Sequence, residues 1–67
     1  MRVNVEQIIE RDKDKFNCPE KLLSLLNSKE VNVLDILKLN ELEYDDCLRE
    51  DITWLKIIIK DLINDTI

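Results

Sequence analysis

Apolar residues along this chain gather into groups separated by short polar breaks, and each group carries helical spacing. Val5, Ile8 and Ile9, with Phe16 further on, make a partial stripe that Asp12 and Lys13 interrupt, so the first helix is expected to be short. Asn4 stands three residues before Gln7, as in a capping box, and marks its start. In the run NCPEKLLSLLNS, Pro19 suits a first helical position, where its missing N–H is not needed, and Glu20 suits the positive end of the helix dipole. Asn17 or Cys18 is the predicted cap, and Leu22, Leu23, Leu25 and Leu26 bury one side before an Asn27-Ser28 stop. Val31, Asn32 and Val33 alternate briefly like a strand, but a run this short with no visible partner makes no sheet, so it reads as a turn into a third helix. Asn32 caps that helix, with Asp35 three residues on and Leu34, Ile36, Leu37 and Leu39 as its apolar contacts. Asn40 with Glu43 three residues on is a further start signal, and neither Gly nor Pro interrupts the chain from there to Ile67. The predicted fold is therefore all-α: one small four-helix domain with a long C-terminal helix over about residues 41–65.

That last helix can be read by sevens. Leu48, Leu55 and Leu62 recur every seventh residue, and Ile52 and Ile59 fall between them. Leucine then occupies d and isoleucine a, a pairing that favours two strands in parallel coiled coils. Asp51 at g could meet Lys56 at the following e of a second copy. Asp45 closes the seam on its N-terminal side, leaving about two and a half heptads, fewer than a firm coiled-coil assignment needs. A helix in an intramolecular bundle shows the same stripe. The bundle ranks first for so short a seam, with a homodimer joined through it as the alternative.

At 3.6 residues per turn, Trp54 and Ile57 fall opposite the seam, with Ile58 at one margin. Glu43, Asp46 and Glu50 precede them on that outer face, and Asp61 comes after. Either neighbouring helices cover both sides of the last helix, or Trp54, Ile57 and Ile58 are contact residues for a partner, with Glu43, Asp46 and Glu50 as electrostatic support. An aromatic anchor with polar surroundings is the usual anatomy of a binding hot spot. The acids of ELEYDDCLRED either complement the helix dipole and remain solvated, or dock a basic, nucleic-acid-binding protein.

Composition narrows the function. At 67 residues, folding hides only about 60% of the unfolded chain's surface, so a staple or a partner is expected. Cys18 and Cys47 form no Cys-x-x-Cys pair and the chain has no histidine, so two buried free thiols are expected, with a single disulfide as the alternative, and no metal or cofactor. The net charge of −5 repels a phosphate backbone and speaks against direct nucleic-acid binding. A helix-turn-helix within KLLSLLNSKEVNVLDILKLN ranks lower still, because Lys38 is the sole basic residue between Asn32 and Asn40. The opening MRVNVEQIIERDKDKF is charged where a secretory signal is apolar, and no apolar run approaches the roughly 20 residues of a membrane span. A cytoplasmic protein is expected. With no imidazole and no Gly-rich phosphate loop, an enzyme is not.

The function these features suggest is a small acidic protein-binding module that modulates, in the concrete version inhibits, a larger protein. The absence of glycine, alanine and histidine beside abundant isoleucine, lysine and asparagine hints at an AT-rich genome, and with it a phage or mobile-element protein directed at its host.

Overall fold

In the computed structural model, which describes residues 1–27 and 30–66, the chain is mostly helical. Its elements run β1 (Arg2–Asn4), α1 (Val5–Arg11), α2 (Pro19–Leu26), β2 (Glu30–Asn32), α3 (Val33–Leu37) and α4 (Asp46–Thr66), with 3-10 turns at Lys13–Lys15 and Glu41–Glu43. The small helical domain with a long last helix agrees with the sequence reading. Ser28, half of the expected stop after α2, lies outside the described residues.

Side-chain caps set most of the boundaries. Asn4 Oδ1 accepts the Gln7 N–H at 3.1 Å, and Asn32 Oδ1 accepts that of Leu34 at 3.0 Å. Each satisfies a donor that the first helical turn leaves without an internal partner. Pro19 opens α2, and Asn27 closes it in the left-handed region at φ 54°, its N–H bonded to the Leu23 carbonyl at 3.0 Å. Asparagine tolerates that conformation better than most residues.

Two boundaries differ from the sequence reading. The segment before α3 does find a strand partner: β2 pairs antiparallel with β1, Val3 opposite Val31, and the Val33 N–H donates to the Met1 carbonyl at 2.9 Å. The partner lies near the start of the chain, far from β2 in sequence, so local spacing could not reveal it. The last helix begins at Asp46 rather than about residue 41. Asn40 caps only a 3-10 turn, accepting the Leu42 N–H at 3.2 Å, and Tyr44 is extended (φ −111°, ψ 167°). Asp45 then accepts the Leu48 N–H at 2.9 Å and starts the helix afresh. Of two competing caps, the second opens α4, and Glu43 consequently stands on the preceding turn and not on the α4 face.

The core joins every helix. Val5, Ile8 and Ile9 of α1, Phe16, Leu22 of α2, Val33 and Ile36 of α3, and Ile52, Leu55 and Ile59 of α4 form one buried cluster. Ile52, Leu55 and Ile59 are fully buried, while Leu48 and Leu62 at the two ends are half-buried. The heptad seam is therefore used inside the chain, as a bundle uses it.

The 3-10 turn before α4 is tied to it by an ion pair, Lys56 Nζ to Glu41 Oε2 at 2.6 Å. The Lys56 ammonium hydrogen-bonded to Glu41 holds that carboxyl below the ordinary glutamate value. Because the folded-state value is the lower one, the pair's contribution is complete above the ordinary glutamate range and fades as pH falls through the depressed value. Both groups are partly exposed, so the contribution is small.

Candidate functional site

The buried carboxylate of Asp51 organises the junction between α4 and α2. It is 1% exposed, and its two oxygens accept the backbone N–H groups of Asn17 and Cys18, each at 2.7 Å. These donors are the cap residue of α2 and the residue before it, so α4 fixes the entry to a helix whose cap side chain makes no hydrogen bond of its own. A carboxylate there also meets the positive end of the helix dipole. The proposed g-to-e pairing of Asp51 with Lys56 of a second copy does not fit this arrangement: Asp51 is buried against the Asn17 and Cys18 N–H groups, and Lys56 binds Glu41 of its own chain.

Cys18 and Cys47 meet beside this carboxylate. Both are free and half-buried, and their sulfurs and an Asp51 oxygen all lie within 4.8 Å of one another. Burial pushes the Cys18 thiol well above its ordinary pKa, and hydrogen bonding with Cys47 and Asp51 together with the Asp51 charge adds to that. A helix N-terminus alone would lower it. Here burial first, and then the neighbouring Cys47 and Asp51, outweigh that effect and the shift is upward.

The residues expected to contact a partner are distributed over several settings. Trp54 is half-buried, its ring against the core cluster and the Lys15 Nζ 4.9 Å from its centroid, a cation–π arrangement. Its indole Nε1 is buried with no hydrogen-bond partner. Glu50 is exposed, accepts from the Asn17 side-chain amide, and with Lys15, Asn17 and Trp54 lines a shallow recess. Ile58 packs half-buried against the core. Ile57 alone among the apolar candidates is open to solvent, at 44% exposure. It shares the outer face of α4 with exposed Asp46, Glu50 and Asp61, whose spacings of four, seven and four place them along one side. Asp46 is also paired with Arg49 at 3.1 Å. Glu43 is exposed on the turn before the helix and does not belong to that face.

Sequence reasoning missed Lys15 and Asn17, which come from the segment between α1 and α2 and partner α4 only through the fold. The inward role of Asp51 has one trace in the sequence: its g position borders the seam, and an acid there has to find a donor if it is covered.

No protein-family model matches the sequence, and no curated protein or solved structure is similar to it. Between α2 and α3 the chain carries strand β2, and α3 spans five residues, a poor match to the short turn and groove-reading helix of a helix-turn-helix. No described helix is long and apolar enough to cross a membrane.

Proposed function

We propose that this chain is a protein-binding module of the cytoplasm that modulates a larger, basic protein by covering part of its surface with the outer face of α4. The observation that carries the reading is Ile57, 44% exposed on a helix face that it shares with exposed Asp46, Glu50 and Asp61 and with exposed Thr53, Lys60 and Asn64. An apolar contact flanked by Asp46, Glu50 and Asp61 combines an anchor that gains from desolvation with charges that speed and select the encounter. Trp54, half-buried at the margin of that face, is the second anchor through the part of its ring that remains exposed. The net charge of −5 supports a basic partner, and two free thiols are in keeping with a reducing compartment.

Ile57→Arg tests this reading without touching the core. Affinity capture from lysate of the producing cells is expected to yield one enriched protein with the native chain. A hot-spot loss of roughly 2 kcal/mol, about thirtyfold in affinity, is expected for the variant, with its helical circular dichroism intact. Equal capture by both chains, or capture of nucleic acid alone, would overturn the reading.

A further inference from the structure

We propose that Cys18, Cys47 and Asp51 form a binding site for one thiophilic divalent cation of the zinc class. Cys47 and Asp51 are four residues apart and so share a face of α4, while Cys18 immediately precedes Pro19 at the start of α2. Their three donor atoms lie within 4.8 Å of one another. Tetrahedral coordination with metal–sulfur bonds of about 2.3 Å and metal–oxygen bonds of about 2.0–2.2 Å sets donors roughly 3.5–3.8 Å apart. Shifts of about an ångström or less in the side chains close the difference.

The donor set chooses the ion. Two sulfurs and one carboxylate suit zinc and its soft congeners, whereas calcium and magnesium demand a shell of six or more oxygens. Three protein donors leave a fourth position for water, and the partial exposure of both cysteines opens that position to solvent. The Asn17 and Cys18 N–H groups fix the Asp51 carboxylate, as outer hydrogen bonds commonly orient metal-binding carboxylates. Binding breaks two S–H bonds, forms two S–metal bonds and releases two protons, with no change of oxidation state. Two thiolates and a carboxylate bring three negative charges, of which the cation offsets two. The ion would tie the start of α2 to α4 in a chain whose small size makes such a staple valuable.

The probe is Co2+ added to the full chain kept reduced with a phosphine. A thiolate-to-cobalt charge-transfer band and tetrahedral visible bands are expected to saturate at one equivalent and to disappear when Zn2+ is added. Cys47→Ser, checked for helicity by circular dichroism, is expected to weaken binding by roughly a hundredfold or more, at or above the loss seen when merely an outer-shell partner is removed. Glu10→Gln, an exposed carboxylate of α1, is expected to leave the spectrum unchanged. Absence of a charge-transfer band with the native chain, or cobalt affinity that survives loss of both thiols, would overturn the site.

Discussion

Replacing Asp51 by alanine is expected to cost about 2–4 kcal/mol, a large share of the roughly 3–10 kcal/mol that a chain of this length has in total. Two backbone donors at the entry to α2, now 2.7 Å from the carboxylate, would be left without an acceptor. Hydrogen bonds to an ionised acceptor are about twice as strong as neutral ones, and covered donors without partners carry their full desolvation cost. Asp51→Asn should fall short of rescue, because one of its two terminal atoms turns from acceptor to donor and faces an N–H. Asp46→Ala is the contrasting case. Its carboxylate is exposed and its pairing with Arg49 is a surface contact, so a change within about 0.5 kcal/mol is expected. Chemical denaturation in the presence of a chelator measures both. If Asp51→Ala loses no more than Asp46→Ala, the junction between α4 and α2 does not rest on this carboxylate.

Leu55→Ala should be as damaging for a different reason. Leu55 is fully buried between Ile52 and Ile59 on the inner face of α4, in a cluster shared with α1, α2 and α3. Removing its branched end loses transfer free energy and leaves a cavity, together about 2–5 kcal/mol. In a domain of this size that lowers the melting midpoint by at least about 10 °C. Ile57→Ala, on the opposite face, should change the midpoint little, since its side chain is already in contact with water. Differential scanning calorimetry separates the two faces. Similar losses for both substitutions would mean that the outer face is covered too, and the proposed recognition surface would go with it.

Much of the architecture was legible because the responsible interactions are local. Asn4 and Asn32 act on N–H groups two or three residues away, and Pro19 restricts its own backbone, so their effects can be read in place. The inward face of α4 was legible from the recurrence of Leu48, Ile52, Leu55, Ile59 and Leu62, although its cover was not, since a bundle and a dimer ask for the same stripe. The β1–β2 pairing was hidden because each strand carries a single apolar residue, Val3 or Val31, and its partner is remote. The restart at Asp45 was hidden by a second, equally good cap at Asn40. Asp51 was read as a surface acid because the groups it binds are backbone amides, which every residue but proline carries and which leave no signature in sequence. The same remoteness concealed the meeting of Cys18 with Cys47, so the cluster they form with Asp51 became visible only in the fold.

The central claim is that α4 turns its seam into its own chain and keeps the opposite face for a different protein. Sedimentation equilibrium of the native chain over a wide concentration range tests this most directly, because a seam already filled from within offers nothing to a second copy, and the acidic outer faces repel one another. The mass of one chain at every concentration is the expected result. A mass that rises to two chains, and falls back to one when Leu55 or Ile59 is changed while the monomer stays folded, would contradict it.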